Sequence, residues 1–486
     1  MSCVFQHLLC EILLHFDRRI DTFSGYVNGC VLLKYQGRVL PVVNGSPFEL
    51  PHFPCVSRPH TCAYLQLSNP LWLSAENGHG YAQFLYSEKN EAIVLGELRD
   101  SAGTVLAKMP WGTHISTHFR NTAIGIWLRL HEVPVIPPWA APFTWEDLWE
   151  ACKCQGVDLF NILQQHAGKL RDGAEHYLVL GFPVPAKIGQ SPVKLHWQAV
   201  RINPLSNSTT RGFRNKESAL WNRDKSQVIR GEIDWIDSED WSSFELTTRG
   251  RLPYALTGRP TLVIGAGAIG SVAAELLVRG GVGRVRICDP EALYAGNLSR
   301  HTLTLWSLRK NKAAATASWT AAASPTSFVS AYQSGFEKLQ DTEMTSAMLL
   351  MDCSGNDDVL EALEGIPIDE NRIFVSVSIS FEAKHLYLYT QRGSFNVTRF
   401  RDLLQPWLRR QLDERATEPL PREGIGCWHP VFPARADQVW TMTALAINVL
   451  ASAIDSTPFE GQLKVFQETR TDGMITGVSE VKLAGQ

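Results

Sequence analysis

Apolar residues recur at helical spacing over residues 1–22 (Phe5, Leu8, Leu9, Ile12, Leu13, Phe16), which predicts an amphipathic helix. The pattern then shortens. Residues 26–110 hold short β-type runs, YVNGCVLLKY and AIVLGEL among them, punctuated by turn signals such as NG and PHFP. The proline-rich stretch Val133–Ala141 reads as a loop or boundary. After it, FTWEDLWEACKCQG reads as a helix capped by Thr144 and acidic in its first turn. HYLVLGFPVP and VKLHWQAVRI are strand candidates, and the polar residues 203–235 read as a connector. From residue 240 onward strands alternate with helices, the pattern of a parallel sheet.

Length and charge narrow the class. At about 150 residues per domain, 486 residues predict two to three domains. With 44% hydrophobic and 20% charged residues the chain is globular, not disordered. The net charge of −3 gives no basic field for nucleic acid or anionic lipid. Ten cysteines are scattered without a CxxC pair, which argues against a four-cysteine zinc site and reads as reduced thiols of a cytoplasmic protein. The start, MSCVFQHLLCEILLHFDRR, lacks a basic head and carries Glu11 and Asp17, so no secretory signal is expected. The apolar runs Thr261–Val278 and Thr443–Ile454 are interrupted by glycines and Glu275, or by Asn448, and are not read as membrane spans.

The chemistry concentrates after residue 260. The strand candidate TLVI runs into Gly265-Ala-Gly267-Ala-Ile-Gly270 and then into the helical SVAAELLVRGG. Gly265 permits a tight turn, Gly267 lets backbone approach a phosphate, and Gly270 lets helix and strand pack closely. The new helix offers free N–H groups to an anion. A second strand, GRVRICD, ends in Asp289, where a carboxylate can take a ribose hydroxyl. A turn built only for packing would use the same glycines, but the strand before it and the helix after it favour a nucleotide. Fold statistics alone would name a nicotinamide dehydrogenase.

The residues beyond Asp289 point elsewhere. Asn297-Leu-Ser-Arg300-His301, followed by Lys312 in RKNKAAA, resembles the ThiF/MoeB/HesA superfamily, which includes the ubiquitin-activating enzymes. Its pattern runs GxGxxG, D-x-[DE], NLxRQ, GxxKA. Here the second acid is Glu291 and His301 replaces the glutamine. IDWIDSEDWSSFELTTRGRL resembles the lead-in of prokaryotic members, and the resemblance covers residues 230–455.

The resemblance implies a Rossmann-like α/β adenylation domain with a mostly parallel sheet, using ATP and Mg2+. It implies Arg300 and Lys312 on the phosphate tail, with Asn297 donating to phosphate or holding the loop. Charge neutralisation at phosphorus is the main need of such a step. An arginine reaching the γ-phosphate, often across a dimer interface, would be Arg249 or Arg251. The family's acid after the fourth strand falls at Gly355, so the magnesium ligand is assigned to Asp352, while Asp357 and Asp358 are expected to cap the next helix. REGIGCWHPVFPARADQVW resembles the GCWxPTF-type segment of prokaryotic activating enzymes and makes Cys427 the candidate thioester cysteine, with His429 beside it. FRDLLQPWLRRQLDERA is expected as a helix of the crossover segment carrying Cys427.

The expected domains are an amino-terminal domain at 1–230, α+β or α/β, the adenylation domain at 231–460, and a tail at 461–486. The first is read either as a degenerate adenylation-like half, forming an intramolecular pseudo-dimer, or as a conjugating-enzyme-like domain, for which Cys55 and Cys62 are the loop thiols to test. The chain then resembles the activating component of a bacterial, antiviral ubiquitin-like conjugation system. Its partners would be a ubiquitin-like substrate, a conjugating-enzyme partner and a second copy in a homodimer. A sulfur-carrier adenylyltransferase without a stable thioester and a non-catalytic nucleotide-binding scaffold, favoured by Gly355, are the alternatives.

Overall fold

The computed structural model describes residues 48–414 and 433–482, except 56–58, 68–71, 73–77, 88–91, 138, 209–215, 340–345 and 473, together with three strands between residues 22 and 41. The helix expected over 1–22 lies outside the described residues apart from Thr22, which opens a strand. Strands β1 (Thr22–Val27), β2 (Cys30–Tyr35) and β3 (Arg38–Pro41) form an antiparallel meander. The chain divides into two compact units, one of Met1–Pro110 and Phe119–Ser242, the other of Trp111–His118 and Ser243–Gln486.

The first unit is built on β4 (Thr61–Tyr64), β5 (Gly78–Tyr86), β6 (Ala92–Arg99), β7 (Val105–Lys108), β8 (Asn121–Arg129), β9 (His176–Pro185), β10 (Pro192–Ile202) and β11 (Trp235–Asp240). The strand order is β4-β11-β10-β9-β8-β5-β6-β7, and β4 also pairs with β6, which closes the sheet on itself. Closure leaves fewer unpaired strand edges. Most pairings are antiparallel, those of β4 with β6 and β11 and of β8 with β9 being parallel. Helix α1 (Trp145–Lys153) starts at Thr144, whose side chain accepts from the Asp147 N–H while Asp147 accepts from the Thr144 N–H, a reciprocal cap. With α2 (Leu159–Ala167) it packs Trp145, Leu148, Ile162 and Leu163 against Leu178, Leu180 and Val200 of the sheet. The polar stretch read as a connector contains α3 (Glu217–Gln227), which turns Leu220 and Trp221 inward. Its fully buried Asp224 accepts from Arg171 and from the Ser206 N–H. The short apolar stripe among polar residues hides this helix from a hydropathy reading.

Two buried histidines of this unit are held neutral. His196 takes the Tyr64 hydroxyl at Nδ1 (2.9 Å) and meets Gln198 Oε1 at Nε2 (3.2 Å). His166 Nε2 lies 2.9 Å from His79 Nδ1. Burial pushes the pKa of each down to about 4.

The second unit is an α/β fold. Its strands are β12 (Thr261–Ile264), β13 (Arg284–Cys288), β14 (Phe328–Tyr332), β15 (Leu349–Asp352), β16 (Asp369–Ile379), β17 (His385–Gly393), β18 (Gln462–Thr471) and β19 (Met474–Val481). Its main helices are α4 (Ala268–Arg279), α5 (Lys312–Ala321), α6 (Asp357–Glu364), α7 (Val397–Glu414) and α8 (Ala436–Ala453). The order is β14-β13-β12-β15-β16-β17-β18-β19, parallel from β14 to β16 and antiparallel beyond. Within the stretch 461–486, expected as a tail, Gln462–Thr471 and Met474–Val481 are strands of the sheet. Helix α6 is capped by Asn356, whose Oδ1 accepts from the Asp358 N–H, so Asp357 and Asp358 sit in its first turn rather than at the cap. The segment Ala436–Ser456 is long and apolar enough to cross a membrane by length and composition, and 39% of its apolar window is buried. Met442, Ala446, Ile447 and Leu450 of this segment are in the unit's core.

Strand β12 lies between β13 and β15, where the strand order reverses, and the glycine turn follows its carboxyl end. Gly265 has φ +86° and lies against Cys353 and Ser354, so a Cβ there would be both strained and crowded. A Cβ on Gly270 would lie 1.8 Å from the Gly265 carbonyl oxygen.

Gly270→Ala should therefore lower stability by about 3 kcal/mol or more, read as a shifted urea midpoint. Gly267→Ala, where a Cβ meets nothing within 4 Å, should leave that midpoint nearly unchanged. The buried histidines predict acid sensitivity. His166 and His196 protonate near 6.5 when unfolded and only near 4 when folded, so between those values the unfolded chain binds more protons. Stability should fall as pH drops from about 6.5 towards about 4. Melting temperatures at pH 7, 6 and 5 check this, and His196→Gln should flatten the slope.

Candidate functional site

The glycine turn is held from both sides at one residue. The Ala266 N–H donates to Asp289 Oδ2 (2.7 Å), and the Ala266 carbonyl accepts from His301 Nε2 (2.7 Å). Asp289 Oδ1 accepts from the Glu291 N–H at 2.8 Å. Burial raises the Asp289 pKa, and the N–H groups of Glu291 and Ala266 oppose that by favouring the carboxylate. The Gly265 N–H donates to the Cys288 carbonyl and the Cys353 N–H to the Ile264 carbonyl, so three strand ends are laced at the turn. Gly267 caps α4 with its Cβ position open.

Lys312, the first residue of α5, is buried, and its ammonium meets Glu291 Oε2 at 2.5 Å. Glu291 is mostly exposed, so the pair has one dry and one wet end. Asn311 caps α5 by accepting from the Ala314 N–H, and its amide donates to the Asp289 carbonyl at 2.8 Å. That cap was readable as an Asn before KAAA, but its tie to Asp289 was not. Asn297 holds its loop through its oxygen: Oδ1 accepts from the Tyr294 N–H, closing the turn that presents Arg300. Arg300 is half-buried, and its carbonyl accepts from Trp440 Nε1 of α8 at 3.3 Å.

Asp352 ends β15 with its carboxylate turned to hydroxyls. Oδ1 accepts from the Ser354 N–H and hydroxyl, and Oδ2 from the Ser376 hydroxyl at 2.9 Å. Burial raises its pKa, and Ser354 opposes the rise. A carboxylate has about four acceptor positions, and these three bonds leave one on Oδ2. Among the described residues no three His, Cys, Asp or Glu side chains converge on a metal position. Gly355, where the family acid was expected, has φ +61° and open space at its Cβ position.

The structure does not bring every expected residue together. Arg249 and Arg251 are exposed, and the Leu252 N–H donates to the Gly280 carbonyl, at the carboxyl end of α4. The turn is at the other end of that 12-residue helix, about 18 Å away at 1.5 Å per residue. Cys427 and His429 lie outside the described residues. The chain leaves at Glu414 and returns at Pro433, whose carbonyl accepts from the Glu382 N–H. Cys62 is not a loop thiol but a buried residue of β4, and burial pushes its thiol to about 12. Cys55 is half-buried and lies 4.0 Å from His60 Nδ1. Burial likewise lifts the Cys353 thiol beneath the turn.

The ThiF family matches residues 255–380, and the Cap2 central linker domain matches residues 39–241. Solved structures overlap the chain loosely. Escherichia coli MccB with ATP shares 12% identity at a TM-score of 0.33, over 47% of this chain and 65% of that one. PaaA shares 15% identity, also at a TM-score of 0.33, over 47% of this chain and 65% of that one. The overlap spans just under two thirds of those chains, and a likeness at that level carries no argument. The ATP-dependent ubiquitin transferase-like protein Cap2 of Enterobacter hormaechei subsp. hoffmannii (strain UCI 50) is 32% identical over 449 residues, covering 89% of this chain and 73% of that protein. With a ThiF region on the glycine turn and a linker domain before it, this chain belongs to the Cap2 family.

Proposed function

We propose that the chain uses ATP to adenylate the C-terminal carboxylate of a ubiquitin-like protein, takes the acyl group onto Cys427, and passes it to a conjugating-enzyme partner. The observation that carries the reading is the clamped glycine turn beside Lys312 and Arg300 in a chain of the Cap2 family. Cytoplasmic action belongs to the same proposal and is motivated by the ten scattered cysteines without a CxxC pair.

The residues present fit a nucleotide. The open side of Gly267 and the first N–H groups of α4 suit phosphate oxygens, and Asp289 keeps acceptor positions for ribose hydroxyls. Lys312 can exchange Glu291 for a phosphate oxygen. The substrate carboxylate is ionised at pH 7, so it attacks the α-phosphate without a general base. Arg300 and Lys312 neutralise charge as the bond to pyrophosphate breaks. Cys427 as thiolate then attacks the acyl carbon, forming a thioester and releasing AMP. Mg2+, when bound, would supply further charge neutralisation, and Asp352 is the carboxylate that would hold it.

Because Arg249 and Arg251 sit at the far end of α4, a γ-phosphate arginine would come from a second copy. The scaffold reading, favoured by Gly355, predicts nucleotide binding without exchange.

Pyrophosphate exchange should require a ubiquitin-like carrier, and a DTT-sensitive adduct should vanish in Cys427→Ala while exchange persists. An adduct surviving that change moves the thioester elsewhere. Lys312→Ala should lower exchange about 100-fold, the scale of a lost charge stabiliser. Mixing inactive Lys312→Ala with inactive Arg249→Ala/Arg251→Ala should restore exchange at about a quarter of the sites if the arginine acts across a two-fold dimer. No recovery on mixing places the arginine elsewhere.

A further inference from the structure

His301 stands where the resembling family carries glutamine, and both of its ring nitrogens are engaged. Nδ1 accepts from the Leu303 N–H (3.1 Å), so it is bare, and Nε2 carries the hydrogen that goes to the Ala266 carbonyl (2.7 Å). The ring is 6% exposed. Burial holds it neutral, with its pKa pushed down to about 4.

The Ala266 carbonyl belongs to the same peptide plane as the Gly267 N–H. In a trans peptide the two point in opposite directions. Fixing the carbonyl on His301 therefore fixes where the Gly267 N–H points. Asp289 fixes the preceding peptide plane through the Ala266 N–H. Gly267 itself has no neighbour within 4 Å of a Cβ position, so its own packing does not impose that orientation.

We propose that His301 is a positioning residue for phosphate binding: its donor–acceptor pair holds the Ala266–Gly267 peptide so that the Gly267 N–H faces the open side of the glycine turn. This rests on the nucleotide reading of the site. It also explains how histidine can stand in for glutamine. A carboxamide has the same pair, an N–H donor for the Ala266 carbonyl and an oxygen for the Leu303 N–H. Leucine fills similar space with neither.

The test compares wild type, His301→Gln and His301→Leu in the full chain, using calorimetric binding of a non-hydrolysable ATP analogue without carrier. Thermal melting is measured without nucleotide. His301→Gln should bind within about 3-fold of wild type, and His301→Leu about 10-fold more weakly or worse, the scale of a lost phosphate donor. In exchange assays the loss should appear as a raised KM for ATP more than a lowered kcat. If His301→Leu does not fold, His301→Asn, one methylene too short to reach both partners, takes its place. A folded Leu or Asn variant that binds as tightly as wild type overturns the proposal. So does a weakened affinity that His301→Gln fails to restore, since that points to ring packing. A wild type that binds no nucleotide overturns the reading of the site itself.

Discussion

The second unit depends on how tightly the chain can turn between β12 and α4. Gly270 packs against the Gly265 carbonyl at a distance that excludes any side chain. That contact puts the first turn of α4 directly over the carboxyl end of β12. Free N–H groups of the helix then face the switch point of the sheet, where the strand order offers a crevice. Two buried side chains, Asp289 and His301, hold the residue between the glycines by its N–H and its carbonyl. Such groups strengthen one another in a poorly solvated setting, and any one left unpaired would be costly.

The same residues link the turn to the charged groups around it. Asp289 directly follows β13, and its own carbonyl accepts from Asn311, the cap of α5. The next residue is Lys312, anchored to Glu291, whose N–H in turn feeds Asp289. A cation is thereby buried next to carboxylates, so no large positive field is needed, in keeping with a net charge of −3. On the other side, Trp440 of α8 donates to the Arg300 carbonyl, and Pro433 is tied to Glu382. The chain that returns from the Cys427 segment is therefore anchored beside the residues expected at the phosphates.

The first unit solves a different problem. Its sheet closes through the β4–β6 pairing and is mostly antiparallel, unlike the parallel order of an adenylation half. Several of its buried polar groups are paired within the unit: His196 with Tyr64 and Gln198, Asp224 with Arg171 and Ser206.

Local signals in the sequence determined the glycine turn, its flanking strand and helix, and the capped helix at Thr144. Each depends on residues close together in the chain, where spacing and capping chemistry act directly. The ordered motifs through Lys312 likewise set the family. Tertiary structure alone decided the rest. The closure of the first sheet needs β4 to pair with β11, far away in sequence, and the β18–β19 hairpin joins the second sheet by pairing with β17. Helix α3 was hidden because its inward face is short. The Ser376 hydroxyl on Asp352 comes from the neighbouring strand β16 and was not legible beside the acid in the sequence. His301 looked like a departure from a motif until the fold set it against Ala266, because a hydrogen bond's worth depends on what lies opposite and on how little water is left there.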